Sequence, residues 1–278
     1  MTKGNAQQIE FWNGTVGQRW ARLQDRIDLQ LNNITDGLMP FADVRSGERV
    51  LDIGCGCGTT TLRLGMMVAP EGAVAGLDIS APMLEVARAR AQAMNADIAF
   101  QEADASSHDF QPVFDVVFSR FGVMFFDDPV AAFANIRRAL APKGRLAFVC
   151  WRPFKENAWA FTPYTAAKPL LPEQPPGDPH APGPFAFADA ARLKGILTDA
   201  GFANIRIEKL DTKASLGVSL DEAADSALNV GPLSRAALDL DDATRGKIRD
   251  AVKAAFEKDL TSAGVAPAAA CWLVGATL

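Results

Sequence analysis

Three glycines stand at alternate positions, Gly54, Gly56 and Gly58, directly after an apolar run that ends at Ile53. Glycine has no Cβ, so the backbone there can adopt positive φ angles and bring its N–H groups against a bound group. The pattern predicts a buried strand that enters a ligand-binding turn, with a helix after the turn.

The spacing of the glycines and one acidic residue indicate which ligand the turn binds. A dinucleotide fingerprint, G-x-G-x-x-G, would need glycine at position 59, where the chain has Thr59. Asp52, two residues before the first glycine, would repel an anionic pyrophosphate. A cationic ligand therefore suits this turn better than a dinucleotide.

The stretch from Val50 to Gly58 resembles the first motif of the class I S-adenosylmethionine-dependent methyltransferases, whose methyl donor carries a sulfonium and an ammonium group. The similarity is to the ubiquinone- and menaquinone-biosynthesis-like group of small-molecule methyltransferases, and it is specific from about residue 47 to 152. It implies S-adenosyl-L-methionine as the cofactor. We expect the cofactor to be bound by residues at the ends of successive strands and by one N-terminal tryptophan: Trp20, Asp52, Gly54, Cys55, Gly56, Gly58, Asp78, Ile79, Met83, Asp104, Ala105 and Ser119.

Two further acids follow predicted strands. Asp78 ends the run Ala73–Asp78, twenty residues beyond Gly58, where a carboxylate can accept hydrogen bonds from ribose hydroxyls. Asp104 follows the run 98–102, and the resemblance implies that it accepts from the adenine amino group. A solvated loop carboxylate is the alternative for Asp104.

Strands and helices alternate along the chain, which predicts an α/β fold with a parallel sheet, helices on both faces and right-handed crossovers. The resemblance implies a doubly wound, Rossmann-like sheet of seven strands in which the last strand is antiparallel. A ligand then belongs at the carboxyl ends of the strands. The predicted strands are 50–53, 73–78, 98–102, 114–119, 144–151, 205–210 and 271–276.

Additions flank and interrupt this predicted core of residues 47–278. Apolar spacing predicts two amphipathic helices in residues 1–46, which we interpret as an N-terminal helical lid. The insertion 152–188 is rich in proline and is predicted to be a long loop, either a lid or a disordered excursion. Residues 220–262 are rich in alanine, leucine and charged residues, which predicts a helical cap.

Composition limits the possible partners. The formal charge of −5 and a pI near 5.2 oppose electrostatic capture of nucleic acid. No run of about eighteen apolar residues predicts a membrane span, and the first 14 residues show no secretory signal, so we expect a cytoplasmic protein. The four cysteines lack metal-ligand spacing, which favours reduced structural thiols and no metal. The oligomeric state stays open.

The acceptor side of the site is less constrained by the sequence. Many relatives carry paired histidines after the fourth strand, whereas this chain has Phe121-Gly122-Val123-Met124-Phe125 there. Aromatic and apolar side chains are the candidates for an acceptor wall, although simple packing would explain them equally well: Trp12, Phe121, Met124, Phe125 and Trp151. Glu156 and His180 are weak candidates for a general base.

We therefore predict transfer of a methyl group from S-adenosylmethionine to a small, apolar or aromatic acceptor by in-line displacement. Orientation of the reactants and exclusion of water would supply most of the catalysis. The sequence leaves open whether the acceptor atom is O, N, C or S. One alternative is an NAD(P)-dependent oxidoreductase, and another is a non-catalytic protein that binds S-adenosylmethionine.

Overall fold

The computed structural model describes residues 5–173 and 177–278 of the 278-residue chain. Its helices are, in order, α1 (Ala6–Asn13), α2 (Thr15–Arg22), α3 (Gln24–Ala42), α4 (Thr59–Val68), α5 (Ala81–Ala93), α6 (Pro129–Arg137), α7 (Ala158–Ala167), α8 (Ala190–Asp199), α9 (Leu220–Asn229), α10 (Pro232–Ala236) and α11 (Asp242–Phe256). Its strands are β1 (Arg49–Ile53), β2 (Ala73–Asp78), β3 (Ala99–Glu102), β4 (Phe114–Arg120), β5 (Leu140–Trp151), β6 (Ala203–Lys213), β7 (Leu260–Thr261), β8 (Gly264–Val265) and β9 (Ala268–Thr277).

Seven strands form one sheet in the order β3-β2-β1-β4-β5-β9-β6. The first five pair in parallel, and β9 lies antiparallel between β5 and β6. The central strands are buried on both faces, as a sheet covered by helices on both sides requires. The predicted doubly wound sheet with an antiparallel last strand is confirmed.

The N-terminal segment forms three helices, so the prediction of two helices was wrong. Extended backbone at Gly14 separates α1 from α2, and Leu23 separates α2 from α3. Apolar residues continue at helical spacing through both breaks, so periodicity alone could not show them. The α1–α2 corner is tight, because a Cβ on Gly17 would lie 1.8 Å from the Trp12 carbonyl oxygen.

The insertion 152–188 is not a continuous loop, which corrects the prediction for this segment. Helix α7 lies within it, flanked by 3-10 turns at 154–156 and 168–170. Pro163 lies inside α7 and is buried. The buried faces of α7 pack against α9, α10 and α11, and this packing outweighs the hydrogen bond that proline cannot make. Pro175 and Pro176, also part of the loop prediction, lie outside the described residues.

Of the segment 220–262, for which a helical cap is predicted, residues 220–256 contain the three helices α9, α10 and α11, and its last residues form a 3-10 turn and β7. Side-chain oxygens of Ser219 and Asp241 accept from the first turns of α9 and α11 and so cap both helices. The two short strands β7 and β8 follow and lead back to β9. These elements cover one side of the sheet's carboxyl edge.

Candidate active site

A cavity of about 970 Å³ opens at the carboxyl ends of β1 to β5. The turns after these strands form its floor, and helices α1, α2 and α3 cover one side. The other side comes from the segment around α7 and from the link between α9 and α10. Most of the lining is apolar, and its polar groups come both from the floor, where Asp78 and Asp104 lie, and from the covering segments.

The three predicted glycines have different surroundings. Gly54, with φ of +66°, lies against the next turn, because a Cβ there would be 2.5 Å from the Gly122 Cα. Gly56, with φ of +54°, faces the cavity. A Cβ added to Gly56 would have the Met83 Cε, at 3.5 Å, as its nearest neighbour. Gly58 precedes α4 and packs on Ala87 and Phe100. Gly54, Cys55 and Gly56 line the cavity, whereas Gly58 does not.

Asp52 lies beneath this turn and does not line the cavity. Its Oδ2 accepts from the Thr60 and Thr61 hydroxyls at 2.7 and 2.8 Å, so it fixes the start of α4. Its Oδ1 is buried without a hydrogen-bond partner. Burial raises the pKa of Asp52 to about 6, although the two hydroxyls oppose the shift. The structure therefore gives Asp52 a supporting position under the turn.

Asp78 ends β2 with its carboxylate at the cavity wall. Oδ2 accepts from the Gly56 N–H at 2.7 Å, and Oδ1 accepts from the Ser80 N–H at 2.9 Å. Burial raises the pKa of Asp78, and these backbone donors oppose the rise. The Asp78 carboxylate is thus held beside the open face of Gly56, within reach of a hydroxyl group bound in the cavity. Ile79 and Met83 line the cavity next to it.

Asp104 lies at the far end of the cavity floor, together with Ala105. Its Oδ1 accepts from the Asn5 amide at 3.1 Å and from the Ser106 N–H at 2.9 Å. Asn5 is buried and also accepts from the Asp127 N–H at 3.1 Å. Sequence reasoning missed Asn5, because a single asparagine near a terminus carries no recognisable signal.

Ser119 is buried and stands behind the cavity wall. Its hydroxyl donates to the Ile53 carbonyl at 2.7 Å and accepts from the Gly122 N–H at 3.1 Å. It therefore joins the end of β1 to the turn after β4. Like Asp52 and Gly58, Ser119 supports the floor without lining it.

The N-terminal helices close directly onto this floor. The Ser80 hydroxyl donates to the Trp12 carbonyl at 2.7 Å, and the Asn13 amide donates to the Ile79 carbonyl at 2.7 Å. The Asn13 Oδ1 accepts from the Ala81 N–H at 2.9 Å. The ring centroid of Trp12 lies 5.5 Å from that of Trp20 and 5.3 Å from that of Phe125, both edge to face, and all three residues line the cavity.

A polar network joins α3 to the glycine-rich turn. The Arg90 guanidinium donates to the Cys57 carbonyl at 2.9 Å and pairs with Asp28 of α3 at 3.1 Å. Thr59 donates to the same carboxylate, and Gln24 donates to Thr59 at 2.9 Å. The turn and the covering helices are therefore positioned by shared contacts.

Of the predicted acceptor residues, Trp12 and Phe125 contact each other beside the N-terminal helices, whereas Phe121 and Trp151 meet in another wall of the cavity. Phe121 stacks on Trp151 with centroids 4.2 Å apart, and Trp151 lies 4.8 Å from Trp159. Met124 is nearly fully buried in the same wall. Sequence reasoning missed four aromatic residues contributed by the insertion, since their segment was interpreted as a loop: Phe154, Trp159, Tyr164 and Phe185.

The two candidate bases differ in position. Glu156 does not line the cavity, and its carboxylate forms an ion pair with Arg152, which also pairs with Asp211. His180 lines the cavity and is exposed. Of the two, His180 alone can approach a group bound there.

The cysteines are buried free thiols. Burial raises the pKa of Cys57 to about 12, and the pKa values of the other three thiols shift in the same direction. Over residues 5–173 and 177–278, no group of three or more histidine, cysteine or acidic side chains is arranged to hold a metal ion. Within those same ranges, no helix combines the length and apolar character needed to cross a bilayer.

The chain is similar in sequence and in fold to known methyltransferases. Residues 50–144 match the family model described as a methyltransferase domain. Demethylmenaquinone methyltransferase of Staphylococcus aureus is 26% identical over 217 residues, which cover 74% of this chain and 89% of that protein. The YcgJ protein of Bacillus subtilis shares the fold with a TM-score of 0.57 and 19% identity, over 88% of this chain and 98% of that one. Phosphoethanolamine N-methyltransferase 2 of Haemonchus contortus, solved with S-adenosyl-L-methionine, has a TM-score of 0.54 at 19% identity, over 88% and 52% of the two chains.

The chain is a class I S-adenosylmethionine-dependent methyltransferase, and S-adenosyl-L-methionine is its cofactor. Its similarity to demethylmenaquinone methyltransferase supports the resemblance to the quinone-biosynthesis-like group that the sequence motif carries. This assignment decides against the NAD(P)-dependent oxidoreductase and against a protein without transferase activity.

Proposed function

We propose that this methyltransferase acts on a small, apolar or aromatic acceptor. The observation that carries the proposal is the continuity of the cavity, which leads from the polar floor at Gly56 and Asp78 to the stacked pair Phe121 and Trp151. A flat apolar molecule gains the most from burial against such rings. Charged side chains are few on that wall, which disfavours a highly polar acceptor.

The cofactor fits the floor through the chemistry of the residues present. The open face of Gly56 admits close approach of a ligand, and the Asp78 carboxylate beside it suits ribose hydroxyls. Asp104 and Ala105 at the far end suit an adenine base. Trp12 and Trp20 present aromatic faces to the same space, where a ring attracts a sulfonium cation.

Positioning is the main catalytic contribution in this proposal. When bound, the cofactor supplies an electrophilic methyl carbon, and displacement there requires the acceptor atom, the methyl carbon and the sulfur to be collinear. The aromatic wall orients the acceptor, and helices α1 to α3 act as a lid that excludes water. An acceptor that arrives protonated and weakly acidic would need a base, and His180 is the candidate that lines the cavity.

The first test is a calorimetric titration of the purified protein with S-adenosylmethionine, S-adenosylhomocysteine and NADH. We expect the two adenosyl ligands to bind and NADH not to bind. Asp78→Asn should weaken S-adenosylhomocysteine by roughly 1.5–3 kcal/mol, because hydrogen bonds to a charged acceptor are lost. The exposed Asp97 offers the control Asp97→Asn. Equal affinity in Asp78→Asn and the control would place the ribose elsewhere.

The acceptor is then sought with S-adenosylmethionine that carries a trideuterated methyl group. A library of aromatic and apolar compounds is incubated with the enzyme, and mass spectrometry detects products that gain the labelled methyl. His180→Ala should slow turnover while leaving cofactor affinity intact if His180 is the base, whereas Glu156→Ala should leave turnover unchanged. Transfer only to highly polar compounds would refute the proposed acceptor class.

A further inference from the structure

Two arginines line the cavity from the elements that cover it. Arg19 comes from α2 and Arg235 from α10, so the lid and the cap each contribute one guanidinium. Among the described residues, neither forms an ion pair or donates a side-chain hydrogen bond to another group of the chain. A cation in that condition is available to a bound anion.

Arg235 is oriented by an aromatic neighbour. Its Cζ lies 4.8 Å from the centroid of the Phe11 ring, and Phe11 also lines the cavity. Stacking on a ring uses the face of the guanidinium and leaves its N–H groups in the plane free. Those N–H groups match the two oxygens of a carboxylate, which can accept from them together.

Arg19 lies on the cavity face of the lid. Val16 and Trp20, three residues before it and one after it on α2, line the same cavity, so this face of the helix is turned inward. Arg19 is only partly exposed, whereas Arg22 of the same helix does not line the cavity. Arg19 therefore carries its charge toward the cavity.

The other charged groups that line the cavity already have partners. Asp78 and Asp104 accept from backbone N–H groups on the cofactor floor. Asp189 accepts from the Ala191 and Arg192 N–H groups at the start of α8. Arg120 donates to Thr35 at 2.8 Å and faces Asp28. Among the arginine and aspartate side chains of the described lining, Arg19 and Arg235 are thus the two without a hydrogen-bond or ion-pair partner in the chain.

We propose that the acceptor of this enzyme is an aromatic or apolar carboxylic acid, whose carboxylate is bound by Arg19 and Arg235 while its apolar body packs on the wall around Phe121 and Trp151. This inference rests on the proposed function and names its substrate class. Apolar surroundings strengthen an ion pair, because the effective dielectric constant there is lower than in water. A carboxylate also relieves the repulsion between two arginines that share one cavity.

The test uses matched pairs of probes that differ only in charge. Benzoate, 1-naphthoate and 9-anthroate are each compared with the corresponding amide by calorimetry, on protein saturated with S-adenosylhomocysteine. We expect at least one carboxylate to bind about tenfold or more tightly than its amide, and the preference to shrink as sodium chloride is added. If every carboxylate binds no better than its amide, including no binding by either, the proposal is wrong.

Two variants and one matched control test whether Arg19 and Arg235 cause the preference for the carboxylate over the amide. Arg19→Gln and Arg235→Gln should each remove most of the preference for the carboxylate, and Arg22→Gln should retain it. A reduced affinity of Arg19→Gln for S-adenosylhomocysteine itself would assign that arginine to the cofactor and overturn the proposal. Amides that bind as tightly as the carboxylates would contradict the carboxylate proposal alone, whereas binding by neither kind of probe would also contradict the proposed apolar or aromatic acceptor, so the two failures are distinguishable.

Discussion

The glycines of the binding turn show how one residue type serves different purposes within five positions. Gly54 has no room for a side chain because the backbone of the turn at Gly122 packs against it, whereas Gly56 leaves room for a ligand. Both have positive φ, so an alanine at either position also introduces backbone strain. The two substitutions should therefore differ in their consequences for folding and for binding.

We predict that Gly54→Ala loses about 3 kcal/mol or more of folding free energy, because strain and a backbone clash combine. Gly56→Ala should lose about 1–2 kcal/mol from strain alone and should weaken S-adenosylhomocysteine more than tenfold. Gly47→Ala is the control, since Gly47 has φ of +85° and a Cβ added there would meet no atom within 4 Å. Urea unfolding and calorimetry check both quantities. Unchanged ligand affinity in Gly56→Ala would move the cofactor away from this face.

The raised pKa of Asp52 leads us to expect that the stability of the protein depends on pH. Its folded pKa of about 6 exceeds its ordinary value of 3.8, so the folded state binds the proton more tightly than the unfolded state. Its contribution to stability is complete below about pH 3.8 and is lost as the pH rises through about 6. Of the order of 3 kcal/mol is lost over that window.

In Asp52→Asn this dependence on pH should disappear. The variant also loses folding free energy by an amount that does not depend on pH, because its hydrogen bonds to Thr60 and Thr61 are altered. The free energy of unfolding of the variant, measured in urea between about pH 4.5 and 7.5, should therefore improve relative to wild type as the pH rises. Parallel curves for the two proteins would show that Asp52 does not titrate in this range.

At the level of elements, helix α1 is joined to the core by hydrogen bonds to the backbone around β2. Asn13 bridges the Ile79 carbonyl and the Ala81 N–H, and the Trp12 carbonyl accepts from Ser80. These contacts lie directly above the turn that holds Asp78. The position of the lid and the position of the cofactor are consequently coupled.

We expect Asn13→Ala to weaken S-adenosylhomocysteine by about 1–2 kcal/mol, since two hydrogen bonds that hold the lid closed are lost. The dissociation rate, followed by stopped-flow tryptophan fluorescence, should rise by a similar factor. Asn32→Ala is the matched control, because the Asn32 amide donates only to Asp36 of the same helix. Equal dissociation rates for the two variants would rule out this role for Asn13.

The inserted helices supply much of the acceptor wall. Trp159 is buried between Trp151 and Gly231, where a Cβ on the glycine would lie 2.9 Å from the indole ring. The wall therefore depends on contacts between segments that are far apart in the chain. The local pattern of the proline-rich segment could not reveal that α7 forms there.

For the whole molecule, the ligand site and the fold stabilise each other, because lid, sheet and cap enclose one cavity. S-adenosylhomocysteine at about 100 times its Kd should add about 2.7 kcal/mol of stability. For a chain of this size the Tm should rise by about 5–10 °C. NADH at the same concentration should leave the Tm unchanged in differential scanning calorimetry. An equal rise with NADH would contradict the cofactor assignment.

The sequence by itself determined the sheet and the floor of the site. Local patterns were sufficient there, because a buried strand, a turn of alternate glycines and a strand-terminal acid such as Asp78 each leave a signal within a few residues. The carboxyl edge of a parallel sheet then brings those turns together. The same reasoning placed Asp104 and Phe121 near the cavity.

Only the tertiary structure decided which residues line the cavity and which support it from behind. Asp52, Gly58 and Ser119 were predicted to bind the cofactor, but they lie behind the cavity lining. The direction of a side chain in a turn depends on what packs against it, so the sequence could not show this. Asn5, Trp159 and Arg235 reach the cavity from distant segments, and nothing local marks them. Their positions follow from long-range packing of apolar faces, whose free energy depends on the partner surface and is not encoded in any short stretch of residues.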